Sequence, residues 1–174
     1  MAFDYFAYAS NMAPDVITRL CPRHKYLGVA HLADHRLAFT RKSIRTRTGV
    51  ADIVGAAGEM VWGVLYRIDD NELAAIDLKE GHDWAYQRVV LPVRLEGGAE
   101  RAAVTYTVRS KEPVQVPPSR QYRDLVIAAA RERGLPGSYI EQIEAITVAD
   151  NLVQGPVPDS PAPQQRAPRD PPVF

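Results

Sequence analysis

The stretch Gly49–Ile68, "GVADIVGAAGEMVWGVLYRI", holds two runs of β-type residues, "GVADIVGA" (49–56) and "MVWGVLYRI" (60–68). Between them lies "AAGE" (56–59), a small-residue cluster with the signature of a turn. The stretch therefore predicts two strands in sequence, with no helix between them. That excludes a regular βαβ alternation at the centre of the chain.

The same reading extends outward on both sides. "YLGVAHLADHRLAFT" (26–40) carries β-type residues with a turn expected near Ala33–Asp34. "AYQRVVLPVRLE" (85–96) and "ERAAVTYTVR" (100–109) flank a Gly-containing turn and predict a hairpin. Pro92 lacks an N–H donor, so its strand is expected to have an edge or a bulge there. At the start, "FDYFAY" (3–8) predicts a buried strand. Asn11 is expected to cap a helix with Pro14 in its first turn, running to about Leu20.

Three further helices are expected. "DDNELAAIDLKEG" has Asp69 and Glu72 spaced as a capping box, and Gly81 as its stop. "PPSRQYRDLVIAAARERG" starts at a Ser119 cap and stops at Gly134, and "GSYIEQIEAI" places Ser138 and Glu141 as a second capping box. Strands concentrated in the middle, with helices around them, predict an α+β class: a small mixed β-barrel or strongly curved sheet with flanking helices. The predicted domain spans 1–149. Residues 154–174 hold seven of the fourteen prolines, and 150–174 reads as a Pro-rich flexible tail.

Composition narrows the function classes. Lys plus Arg and Asp plus Glu both number 21, so no general attraction to nucleic acid or an anionic membrane is expected. The basic cluster "RKSIRTRT" (41–48) reads as a solvated loop. With one cysteine, Cys21, neither a disulfide framework nor a Cys-based zinc site is expected. Of the four histidines, His31 and His35 are four apart but lie in a region that reads as strand and turn, and no metal or cofactor is expected. No apolar run approaches the ~20 residues of a membrane span, and the N-terminus lacks a signal-peptide pattern. The expected location is the cytoplasm. Oligomeric state is not legible.

Two features carry chemistry. The loop "AYASNM" leads from a strand into a helix start, where backbone N–H groups can receive an anion such as a carboxylate. Ser10 has neither nucleophile-elbow glycines nor a partnered histidine. Glu80 falls in the last turn of its helix, where the dipole repels an anion. Trp84 and Tyr86 are expected to dry its surroundings, so the protonated form is favoured and proton transfer becomes its natural role. On spacing alone, the favoured reading of Glu80 is a solvated residue beside a C-cap glycine.

Four segments together resemble the γ-glutamylcyclotransferase family with its AIG2-like relatives. The family's "Y-F-A-Y-G-S-N" start is matched by "YFAYASN" (5–11), and "V-W-G-V-x-[WY]" by "VWGVLY" (61–66). "L-D-x-x-E-G" resembles "IDLKEG" (76–81), and "P-P-S-x-Q-Y" is matched by "PPSRQY" (117–122), with "GLP" following at 134–136. The resemblance implies a compact mixed barrel and a reaction without cofactor or metal. In it, the α-amino group of a small γ-glutamyl substrate attacks its own γ-carbonyl, giving 5-oxoproline and a free amine. By position, the resemblance implies that Glu80 is catalytic. It implies that Tyr5, Phe6, Ala7, Tyr8, Ala9 and Ser10 cradle substrate, and that Tyr122 contacts it. Tyr86 is a further cavity-wall candidate. Two other readings stay open: a related cyclotransferase acting on another amine or a biosynthetic intermediate, and a non-catalytic small-molecule binding module. The family has Gly where this chain has Ala9. A positive φ there would make the extra methyl costly, and close approach of substrate would narrow the pocket.

Overall fold

In the computed structural model, which describes residues 1–149, the two runs of Gly49–Ile68 belong to one strand. The elements run β1 (Ala2–Ala7), a 3-10 turn (Ser10–Met12), α1 (Pro14–Leu20), β2 (Lys25–Lys42), β3 (Gly49–Asp69) and α2 (Asp70–Glu80). They continue with β4 (Tyr86–Leu95), β5 (Glu100–Val108), α3 (Arg120–Glu132) and α4 (Gly137–Glu144). The expected Pro-rich tail lies outside the described residues.

The two turn signals were real deviations of the wrong kind. β2 and β3 pair along their whole length, but the register jumps from Ala33↔Met60 to His35↔Gly55. The turn expected at Ala33–Asp34 and the one expected at "AAGE" thus face each other across one irregular bulge. Asp34 (φ 56°) and Gly58 (φ 77°) take left-handed conformations, and Asp34 Oδ1 accepts from the Gly58 N–H at 2.9 Å. Extra residues on β3 are looped out and the strand carries on in the same direction. A bulge bends and twists a ribbon without reversing it.

That bending lets five strands close. The barrel order is β1-β3-β2-β4-β5, with every neighbour antiparallel except the closing β1–β5 pair, which is parallel at Tyr5↔Val104. Pro92 pairs with Ala102 on β5, while β2 meets β4 at Arg94 and Leu95. Its donorless flank therefore lies on the open side of β4, as the sequence led us to expect. Val64, Leu65 and Tyr66 are all fully buried. Consecutive strand residues point to opposite faces, so both faces of β3 are covered here: one by the barrel interior, one by the α1 region. Tyr66 marks the second contact, donating its hydroxyl to the Met12 carbonyl at 3.0 Å. β1 crosses β3 so closely that a Cβ on Gly63 would stand 2.2 Å from the Ala7 carbonyl oxygen.

The helix ends divide. At α2 the Asp69–Glu72 capping box is complete in both directions, and Gly81 closes the helix at φ 63°. At α3 the Ser119 hydroxyl accepts from the Tyr122 N–H at 3.1 Å, as expected, and Gly134 follows the last turn at φ 72°. At α1 the N-cap is Ala13, not Asn11, because Ser10–Met12 forms its own 3-10 turn first. At α4 the N-cap is Pro136, which places Ser138 inside the helix, and no side chain caps it. α3 packs on α4 and on the 3-10 turn. Arg133, just after α3, donates to the Met12 carbonyl at 2.9 Å and stacks over Tyr26 and Tyr66. The turn that follows β1 is thus clamped from outside.

Candidate active site

A small cavity of about 40 Å³ opens at one end of the barrel, where β1, α2, β4, β5 and α3 each deliver a residue. β1 brings Tyr5 and runs on into Tyr8, Ala9, Ser10 and Asn11. The last residue of α2 is Glu80, placed at the cavity by the helix stop at Gly81. The first residue of β4 is Tyr86, β5 supplies Thr105 and Tyr106, β3 supplies Ala51, and the first turn of α3 supplies Tyr122.

Glu80 is largely covered, with its side chain 16% exposed. Its Oε1 accepts from the Asn11 side-chain amide at 3.0 Å and from the Lys79 ammonium at 3.0 Å. Lys79 also donates to the Ser10 hydroxyl at 3.4 Å. The solvated-residue alternative for Glu80 is therefore set aside. Trp84 does not form the expected wall: it is 66% exposed, held over Gly81 and stacked with the Arg41 guanidinium at 5.4 Å. The drying comes from buried tyrosines instead.

Three of the tyrosines are tied to the frame by their hydroxyls. Tyr8 donates to the Tyr106 carbonyl and Tyr86 to the Ala51 carbonyl, both at 2.8 Å. Tyr106 donates to Asp77 at 2.6 Å, and Asp77 is paired with Arg88 at 3.0 Å. Burial pushes the Tyr122 phenol up to about 12, with the Glu80 charge adding to the rise and the Ala51 backbone and Ser10 hydroxyl offsetting part of it. Burial, reinforced by Glu80, also holds Tyr5 well above its ordinary value, and Tyr8 and Tyr86 move the same way for the same leading reason. These walls are neutral hydrogen-bonding groups around a single carboxylate.

Of the residues singled out from sequence, Tyr5, Tyr8, Ala9, Ser10, Glu80, Tyr86 and Tyr122 line this cavity together. Phe6 and Ala7 do not. Phe6 is fully buried in the core, offering its carbonyl to the Thr105 hydroxyl at 2.9 Å, and Ala7 is buried against β3. Successive strand residues alternate faces, which turns Phe6 away from the side that Tyr5 takes. Ala9 has φ −141°, outside the left-handed region, so its methyl carries no left-handed penalty. The loop's later N–H groups are not available to an anion: Met12 donates to the Ala9 carbonyl and Ala13 to the Ser10 carbonyl. Asn11, Thr105 and Ala51 were missed. Asn11 was read as a cap from its residue type, although it stood inside the quoted motif. Among the described residues, no three His, Cys, Asp or Glu side chains gather into a group that could hold a metal ion.

The site is a closed mixed barrel with one carboxylate in a tyrosine-walled cavity, and the model of the AIG2-like family matches residues 60–143. The chain is 33% identical to the γ-glutamylcyclotransferase of Mus musculus over 149 residues, covering 83% of this chain and 78% of the relative. It is 32% identical to that of Homo sapiens over 154 residues, covering 86% and 81%. A solved γ-glutamyl cyclotransferase structure superposes with a TM-score of 0.81 at 30% identity, over 88% of this chain and 93% of the other. The chain belongs to the γ-glutamylcyclotransferase family.

Proposed function

We propose that this protein is a γ-glutamylcyclotransferase in which Glu80 transfers the protons. The observation that carries the reading is that Glu80 and the Tyr8–Ser10 loop, 70 residues apart in sequence, share one small cavity. The substrate's α-carboxylate is received by the loop backbone around Ala9 and Ser10. Glu80 takes a proton from the α-ammonium, and the freed amine attacks the γ-carbonyl carbon. A ring C–N bond forms, Glu80 gives its proton to the leaving nitrogen as the bond to it breaks, and the second proton, now surplus on the ring nitrogen, passes through the freed Glu80 carboxylate to the released amine. The products are 5-oxoproline and a free amine.

Nucleophile and electrophile are in one molecule, so holding the substrate folded supplies much of the rate. Tyr86 and Tyr122 suit that task, since both rings are fixed and present neutral hydroxyls. Tyr5 packs edge-on against Tyr106 and stiffens the opposite wall. The reading places the protein in the cytoplasm, which its single buried thiol, Cys21, supports. No described helix is long and apolar enough to cross a membrane.

The test is release of 5-oxoproline from a panel of γ-glutamyl amides: γ-glutamyl amino acids, γ-glutamyl-ε-lysine and simple γ-glutamylalkylamines. Turnover of at least one supports the reading, and the preferred member assigns the amine. Binding of 5-oxoproline with no turnover of any would replace it with a binding module.

A further inference from the structure

Asn11 is buried, at 5% exposed, and it lines the cavity. Its Nδ2 is fully used, donating to the Tyr5 hydroxyl at 2.6 Å and to Glu80 Oε1 at 3.0 Å. Its Oδ1 is buried too, yet among the described residues nothing donates to it. Rotating the amide by half a turn does not cure this. It would set an oxygen against the Glu80 carboxylate and lose the donation that Glu80 receives. A buried amide oxygen without a donor is costly, and it calls for a partner that arrives from elsewhere.

That partner must be a donor, must fit the cavity, and must sit beside a carboxylate. An ammonium has three N–H bonds and meets all three conditions. The Lys79 ammonium, 3.0 Å from the same Oε1, shows that an ammonium is accepted by this carboxylate from the rim. Asn11 reaches the same oxygen and is itself buried. We infer that Asn11 is a substrate-binding residue, whose Oδ1 receives the α-ammonium of the glutamyl group while its Nδ2 holds Glu80 in place to take the proton. This rests on the cyclotransferase reading for the identity of the ammonium, but the site itself does not require turnover. One side chain thereby sets the distance between nucleophile and base. Its backbone stays fixed because the 3-10 turn is clamped by Arg133.

The test uses two ligands that differ only in the ammonium, L-glutamate and glutarate, neither of which carries an amine to release. Their affinities for the wild-type protein and for Asn11→Ala are measured by NMR titration. The wild-type protein is expected to prefer L-glutamate, and Asn11→Ala to lose about tenfold or more of that preference, the scale of one hydrogen bond to a charged group. A role confined to holding Glu80 and Tyr5 would weaken both ligands alike and leave their ratio unchanged, which overturns the inference. Absence of any wild-type preference for L-glutamate overturns it as well.

Asn11→Ser is the second variant should the alanine protein fail to fold. The wild-type protein also gives a check without mutation: the Asn11 side-chain amide resonances move with L-glutamate and not with glutarate. Wild-type release of 5-oxoproline from the same panel of γ-glutamyl amides is measured separately. Its failure refutes the parent reading and leaves a shifted ligand ratio standing as evidence for the ammonium site.

Discussion

Asp52 is the only fully buried carboxylate among the described residues, and removing it should cost more stability than any other change of a polar side chain. It accepts from the hydroxyls of Thr40 and Thr107, from the Val108 N–H at 2.9 Å, and from the Lys111 ammonium. Those donors lie on β2, on β5 and just beyond it, so one carboxylate fastens three neighbouring parts of the barrel to β3. In Asp52→Ala, the Val108 N–H and the Thr40 hydroxyl remain buried without their acceptor, at about 1–3 kcal/mol each. Lys111 is 39% exposed and regains water, so its loss adds little. The expected total is about 2–6 kcal/mol, the sum over those two stranded donors. For a chain this size, that lowers Tm by on the order of 10 °C. Urea unfolding of both proteins, compared at a common m-value, measures it. A loss below about 1 kcal/mol would refute the idea that Asp52 pins the barrel. Because Ala51 is the next residue and accepts the Tyr86 hydroxyl, the same anchor steadies a wall of the cavity.

Two further predictions concern the groups around the site. Gly81→Ala should cost about 1 kcal/mol or more from the φ of 63° alone, and its Cβ would stand 2.5 Å from the Trp84 ring; 5-oxoproline release should fall more than stability does, since the neighbouring Glu80 is displaced. Burial pushes the Cys21 thiol up to about 12 from an ordinary 9, so the native thiol should resist iodoacetamide at pH 9 and react promptly in urea. In stability terms, the folded state keeps its proton when the unfolded state has lost it. The contribution of Cys21 is therefore complete below pH 9 and declines as pH rises from 9 toward 12. Rapid alkylation of the folded protein at pH 9 would contradict the buried placement.

The parts legible in the sequence were those governed by local chemistry. The α2 capping box, the Ser119 cap, the hairpin turn and the edge position of Pro92 all follow from what a few adjacent residues can do. The bulge between β2 and β3 was half legible. Asp34 and Gly58 announced departures from extended backbone, but only pairing across the ribbon shows that the two departures are one. The same limit governs the site. Glu80 could be singled out by its place at a helix end, and the loop by its small residues. Phe6 and Ala7 fall outside the cavity lining because strand alternation turns Phe6 away into the core, while Ala7 is packed against β3. Asn11 was misread because a cap is a local event, whereas its real partners, Tyr5 and Glu80, are brought together by the closing of the barrel. Trp84 shows the reverse error: it is close to Glu80 in sequence, yet it lies outside the cavity.

The proton-transfer role of Glu80 is tested most directly by 5-oxoproline release from the preferred γ-glutamyl amide, measured on the wild-type protein and on Glu80→Gln. Glutamine keeps the shape and one acceptor oxygen for Asn11 but cannot carry the proton. We expect a fold and melting temperature close to wild type, retained binding of 5-oxoproline, and a fall in kcat of at least about a hundredfold. Full activity in Glu80→Gln, with the fold intact, would contradict the account.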